Sequence, residues 1–259
     1  MTRISAFIIA LNEEENLARC LLSLQGWTDE IVLVDARSAD ATRDVAEKFG
    51  ARVFVRDWPG FVAQKNFALE QCAHNWVFSI DADEEVSPEL RAELEALRPQ
   101  LEERRARENI VAYLIPRLVR YEGRWIRHGD WYPDYVPRLF YKPDARFAGG
   151  AVHERVEYSG ASAKLRYPLF HYTYRDAADH RARIEKYVAL WAQSQLENGR
   201  RAGAFSPCVR AAVRFVRAYV LKRGFLDGVL GWRIACLSAR EVFLKYRTLR
   251  RLQSGRSRS

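Results

Sequence analysis

Residues 4–35 read ISAFIIALNEEENLARCLLSLQGWTDEIVLVD, and the order of patterns in this stretch decides the fold class. Ile4–Leu11 is a continuous apolar run of strand length. Asn12 follows as an N-cap candidate with Glu15 three residues on, opening the amphipathic turn Leu17–Leu24. Glu13, Glu14 and Glu15 place negative charge where the helix dipole favours it. Glu30–Asp35 is a second apolar run, so the segment reads strand, helix, strand. The pattern repeats downstream with a helix over 40–49 closed by Gly50, a strand over 52–55, a helix over 61–72 and a strand over 76–81. Short apolar strands alternating with helices predict an α/β fold with a mostly parallel sheet flanked by helices, Rossmann-like, whose ligands bind at the carboxyl ends of the strands. Asp35 and Asp81 both end strands there.

The fourth predicted strand runs into Asp81-Ala82-Asp83-Glu84-Glu85. If the extended conformation persists, Asp81, Asp83 and Glu85 share one face, with Glu84 turned away. Such an oxygen-rich set suits Mg²⁺ or Mn²⁺, above all when a diphosphate completes the coordination. Taken alone, it would be a solvated acidic turn. Beyond it, Ser87-Pro88 caps a helix to about Leu97, Pro99 interrupts, and 101–108 reads as a charged surface segment without chemistry. Residues 112–120 and 125–126 read as strands, with turns expected at Pro133, Pro137 and Pro143.

Four scattered cysteines without a C-x-x-C pair argue against a zinc site or a disulfide framework and for a reducing, cytoplasmic setting. No apolar run approaches the roughly 18 residues of a membrane span. The net charge of +9 hides an asymmetry: residues 200–259 carry 15 Lys/Arg against Asp227 and Glu241, so the rest of the chain is mildly acidic. Val209, Val213, Val216 and Val220 recur at helical spacing beside Arg210, Arg214 and Arg217, and Arg233, Arg240 and Arg247 repeat every seven residues. Two readings fit this basic helical segment: an interfacial surface for anionic lipid, or a helical subdomain docked on the core with its arginines solvated.

Taken together, ISAFIIALNEEENL, EIVLVDARSADATRDVAEKFGA, WPGFVAQKNFAL and WVFSIDADEEVSPEL, followed by PRLFYK, GGAVHERV and LFHYTY, resemble the family 2 glycosyltransferases of the GT-A fold. Within that family the likeness is to bacterial enzymes of lipopolysaccharide core assembly. One departure is Asp35-Ala36-Arg37-Ser38-Ala39-Asp40, where the family commonly has Asp-Ser-Gly-Ser-x-Asp.

The resemblance implies an inverting, metal-dependent hexosyltransferase with a UDP-sugar donor, UDP-glucose foremost, and a lipid-anchored saccharide acceptor such as the lipopolysaccharide inner core. A polyprenyl phosphate or another surface-polysaccharide acceptor is the alternative, and a non-catalytic nucleotide-sugar-binding protein, against which the intact Asp81 and Asp83 pair argues, is a further one. The resemblance implies nucleotide contacts at Leu11, Glu13, Asp35, Lys65 and Asp81, with the metal on Asp83, Asp81 and, as further candidates, Glu85, His153 and His171. Glu154 is the first choice for the base that takes the acceptor proton, with Asp134 and Asp130 as alternatives. The expected division is a nucleotide-sugar half at 1–110, an acceptor half at 111–199 and the basic helical segment at 200–259. The last would hold the enzyme at the cytoplasmic face of the inner membrane through residues 200–251. A nucleotidyltransferase is excluded because three carboxylates occupy the place of a glycine-rich phosphate loop. Nucleic-acid binding lacks a motif.

Overall fold

The computed structural model describes residues 1–150, 153–173 and 177–256, the side chains of 150, 153, 177–183, 185, 186, 255 and 256 apart. The chain divides into two compact units, one of Met1–Arg117 with Asp134–His171, the other of Leu118–Pro133 with Tyr172–Ser259. One long strand, β6 (Ile110–Tyr121), begins in the first unit and ends in the second.

In the first unit, β1 (Ile4–Ala10), β2 (Glu30–Asp35), β3 (Arg52–Val55) and β4 (Trp76–Ser79) alternate with α1 (Glu14–Leu24), α2 (Thr42–Lys48) and α3 (Phe61–Gln71). β1 lies between β2 and β4, and all of these pairings are parallel. β5 (Glu84–Val86), α4 (Pro88–Leu97) and α5 (Leu101–Glu108) follow. The sheet continues with β8 (Asp134–Tyr141), antiparallel to both β4 and β6, and with β12 (Leu169–His171), antiparallel to β5. The order along the sheet is β3-β2-β1-β4-β8-β6-β12-β5, with β11 (Ala161–Lys164) pairing parallel to β6 off this path. β9 (Ala145–Gly150) and β10 (His153–Tyr158) form a separate antiparallel ribbon.

Both faces of the sheet are covered, as the apolar runs required. Along β1, Ile4, Ala6, Ile8 and Ala10 pack with Leu17, Leu21 and Leu24 of α1, whereas Phe7 packs with Ala68 and Leu69 of α3. This alternation is the two-residue period of a strand read against two layers of helix. Two local expectations are corrected. Helix α1 starts at Glu14, not after Asn12, whose backbone is left-handed at φ 56° and whose side chain accepts from the backbone N–H of Ala39. Pro137 sits inside β8 and not in a turn; it faces a register shift in β6, where a missing N–H is tolerated. Residues 101–108 form a helix whose Glu102 accepts from the buried Trp76 indole at 2.9 Å.

The second unit is built on α6 (Ala177–Glu197), α7 (Ser206–Val216) and α8 (Gly228–Arg256), with β7 (Arg124–Trp125) pairing to the end of β6. Leu230 and Ile234 of α8 are buried against Tyr121 and Ile126. Between α7 and α8 the chain turns so tightly that a Cβ on Gly231 would stand 1.8 Å from the carbonyl oxygen of Gly224.

Candidate active site

The carboxyl ends of β1 and β2 are stitched together by their loops. The backbone N–H groups of Asn12 and Glu13 donate to Ser38 Oγ at 2.9 Å and Thr42 Oγ1 at 2.8 Å. Asp35 is fully buried at the end of β2; its Oδ2 accepts from the Ser38 N–H at 2.9 Å, while its Oδ1 is buried without a hydrogen-bond partner. An unpartnered buried carboxylate oxygen is costly, so this atom is prepared for a donor from outside the chain. Arg37 takes the left-handed φ of 61° that a glycine would adopt more readily, and its Nε donates to Asp57 at 2.5 Å.

The acidic stretch after β4 does not stay extended. The chain turns over Asp81-Ala82-Asp83-Glu84, closed by Glu84 N–H to Asp81 O at 2.9 Å, and only then resumes as β5. The turn breaks the expected common face of Asp81, Asp83 and Glu85. Asp81 and Asp83 line a cavity of about 390 Å³ together with Leu11, Glu13, Trp58, Phe61, Lys65, Arg117, Glu154 and His171. Glu85 does not line it; its carboxylate lies 3.8 Å from Arg19. Glu84 is turned into the protein, fully buried on Arg138 at 2.6 Å.

Lys65 is the hub. It is buried on α3, with its Nζ 3.2 Å from Asp81 Oδ1 and 3.3 Å from Glu154 Oε1. Arg138, on β8, is buried as well and donates to Asp81 Oδ2 at 2.5 Å and to Glu84 at 2.6 Å. Burial pushes the Asp81 carboxyl up, but Arg138 and Lys65 outweigh it and hold the group well below the usual carboxylate range. The same pair of carboxylates raises the Arg138 guanidinium against the opposing pull of its burial. His171, from β12, has its Nε2 3.3 Å from Asp83 Oδ2. Burial lowers its pKa and the Asp83 hydrogen bond and charge more than restore it, so the imidazole stands above its ordinary value.

The candidate bases separate clearly. Glu154 stands in the cavity beside Lys65 and Asp81, on β10. Asp134 is half-exposed and ion-paired with Arg117. Asp130 belongs to the second unit, where its buried carboxylate meets Arg214 at 2.8 Å, Lys222 at 3.0 Å and Arg217 at 3.4 Å. All three cations come from the 206–222 segment, so this carboxylate is already compensated where it stands. The side chain of His153 lies outside the described residues. Among the described residues, no three His, Cys, Asp or Glu side chains form a ready-made metal cluster. Asp83 with His171 offers a carboxylate and an imidazole at one point, and Asp81 has each oxygen on a cation. Asp83 and His171 are therefore the pair that would hold a Mg²⁺ or Mn²⁺ ion, which would take its remaining ligands from phosphate oxygens and water.

The model of the family described as Glycosyl transferase family 2 matches residues 5–161. The chain belongs to glycosyltransferase family 2. Relatives agree over nearly the whole length. An uncharacterized glycosyltransferase of Rickettsia typhi is 31% identical over 97% of this chain and 88% of its own. The lipopolysaccharide core biosynthesis glycosyltransferase LpsC of Rhizobium meliloti is 30% identical over 94% of this chain and 93% of its own. Among solved structures, S. aureus TarS 1–349 in complex with UDP-GlcNAc is 16% identical, covers 98% of this chain and 92% of that one, and superposes with a TM-score of 0.47. The fold of this glycosyltransferase is GT-A: a curled α/β sheet with its cavity at the ends of β1, β4 and their neighbours. The reading from sequence missed Arg138 and Arg117 as site residues, although Arg138 stands in Pro137-Arg138-Leu139-Phe140-Tyr141-Lys142. A lone arginine inside an otherwise apolar strand was the available signal, since an arginine there has to find carboxylates.

Proposed function

We propose that this glycosyltransferase moves a hexose, glucose foremost, from a UDP-sugar to a lipid-linked saccharide of the lipopolysaccharide inner core, with inversion at the anomeric carbon. The observation that carries this reading is the convergence on Lys65: one buried ammonium holds Asp81, the carboxylate of the acidic turn, and Glu154, the candidate base, within 3.3 Å. The donor half, residues 1–110, contributes the orphaned Asp35 Oδ1 for the nucleobase, Leu11 and Glu13 for the nucleoside, and Lys65 for the diphosphate. The acceptor half, 111–199, contributes Glu154. In the reaction the acceptor hydroxyl oxygen bonds to the anomeric carbon, the carbon–oxygen bond to the diphosphate breaks, and the hydroxyl proton passes to Glu154. Lys65, freed from Glu154 as substrate arrives, stays on the diphosphate side. A Mg²⁺ or Mn²⁺ ion held by Asp83 and His171, with Asp81 beside them, would neutralise charge on the departing diphosphate. The core-oligosaccharide acceptor is supported by the LpsC likeness over most of both chains.

The acceptor's lipid anchor and the basic 200–251 segment together support peripheral association with the cytoplasmic face of an anionic inner membrane. No helix among the described residues is long and apolar enough to cross a membrane. Calorimetric titration of UDP-glucose, other UDP-sugars and GDP-sugars, with Mn²⁺ or with EDTA, tests the donor reading. Metal-dependent UDP-sugar binding that Asp83→Ala abolishes is the expected result. Absence of any nucleotide-sugar binding in either condition overturns it.

A further inference from the structure

Helix α7 turns its apolar stripe outwards. It meets α8 through aromatic rings: Phe215 of α7 and Tyr219, just past its end, pack edge-on against Trp232 at 5.1 Å and 5.2 Å between centroids, and Phe225 joins Tyr219 at 6.2 Å, with Trp232 and Phe225 themselves about half exposed. Val209, Val213, Val216 and Val220, which recur at helical spacing, are exposed. The turn into α8 extends the stripe with Leu221, 73% exposed, Leu226, 55% exposed, and Val229, 71% exposed. Scattered apolar residues on a surface need no explanation, but a continuous ridge of this kind does.

The charge around the ridge identifies what covers it. Asp130, the buried carboxylate beneath the turn, is met by Arg214, Arg217 and Lys222, which leaves a local excess of cations. Asp227 is taken by His128 and Glu241 by Lys245, so both acids of the 200–259 segment are already paired inside the unit. Arg223, Arg240, Arg247 and Arg251 have no carboxylate partner among the described residues, and Arg247 and Arg251 line an open groove with Arg250 on α8. A second copy of the chain would bring the same excess of positive charge against this face and be repelled. A nucleic acid would leave the valines and leucines in water. An anionic bilayer answers both features, with headgroups for the arginines and acyl chains for the ridge.

We propose that the ridge Leu221, Leu226 and Val229, continued by the valines of α7, inserts into the acyl boundary of an anionic membrane as an apolar wedge. The proposal rests on the peripheral-membrane reading above and goes past it: adsorption by charge alone would need no insertion. The test is co-sedimentation of the full-length protein with phosphatidylcholine vesicles containing about one-third phosphatidylglycerol, against pure phosphatidylcholine, at low salt and at roughly 1 M salt, where the Debye length falls to about 3 Å. The variants are Leu221→Glu/Val229→Glu and the milder Leu221→Ala/Leu226→Ala. All these positions are exposed, and far-UV circular dichroism with thermal unfolding reports that each variant is folded.

The expected result is binding to the anionic vesicles that partly survives high salt and falls at least about tenfold in the glutamate variant, with a smaller loss in the alanine variant. If high salt releases the wild type completely and both variants bind as it does, the wedge is overturned and electrostatic adsorption stands. If the wild type ignores both vesicles, the membrane reading falls and takes the wedge with it. A wild-type dimer in solution that the glutamate variant splits would give the ridge to a second copy.

Discussion

Replacing Arg138 with methionine removes the cation that bridges Asp81 and Glu84 of the acidic turn. Arg138 is 5% exposed, and its Nη2 reaches Asp81 at 2.5 Å and Glu84 at 2.6 Å. Methionine fills most of the volume, so the loss is electrostatic. Asp81 retains Lys65 at 3.2 Å, but Glu84, with no exposed surface, keeps only Arg117 at 3.9 Å and the Asp81 N–H. Breaking a buried pair by removing one partner costs about 3–5 kcal/mol, because a charge is left without compensation. For a chain of this size that lowers the melting temperature by about 6–20 °C.

The sign of the pH dependence follows. In the wild type the Asp81 carboxyl is held below its unfolded value, so its contribution is complete above the unfolded pKa and is lost as pH falls through the folded one. Without Arg138, burial goes unopposed on that side and favours the protonated acid. The destabilisation is therefore largest near neutrality and shrinks as the pH is lowered towards about 5. Urea unfolding of wild type and variant at several pH values measures this, with Arg138→Met/Glu84→Gln as the control that removes the stranded charge and recovers much of the loss. A variant within about 1 kcal/mol of wild type at pH 7.5, or a deficit that grows on acidification, would refute the account of Arg138 as the compensating charge.

Glu154→Gln lowers kcat by about 10²–10⁴ while UDP-sugar affinity stays within a few-fold, and Asp134→Asn costs less than about tenfold; steady-state kinetics with a core-oligosaccharide acceptor separates the two. Gly231→Ala forces a Cβ onto the Gly224 carbonyl at 1.8 Å, and because backbone cannot swing aside as a side chain can, it destabilises the α7–α8 turn by about 3 kcal/mol. Faster tryptic cleavage between Arg217 and Arg233 reads that loss. Of the four thiols, Cys208 is exposed, whereas Cys20 is fully buried and Cys72 is pushed up to about 12 by burial. An aromatic disulfide reagent at pH 8 therefore titrates a rapid thiol that Cys208→Ser removes, and Cys20 and Cys72 react only on unfolding.

Much of this protein was legible before any fold was known. The apolar runs 4–10, 30–35, 52–55 and 76–79 became strands, and the helices between them formed, because buried parallel strands and amphipathic helices leave periods that neighbouring residues cannot hide. Asp35, Asp81 and Asp83 stand out locally as carboxylates at the ends of apolar strands, whereas Lys65 and Glu154 could be named only through the family resemblance. Tertiary structure alone decided which of those groups touch. The reversal at Asp81–Glu84 separated Glu85 from Asp83 and buried Glu84, and no strand period anticipates a turn. The Lys65–Glu154 contact spans 89 residues and the Arg138–Asp81 contact 57, distances over which sequence carries no geometric information. Helical spacing identified the valine stripe of α7 but was silent on its direction. Period is a property of one helix, whereas burial belongs to the pair, and here α7 and the residues just past it meet α8 through Phe215, Tyr219 and Trp232 while the valines stay exposed.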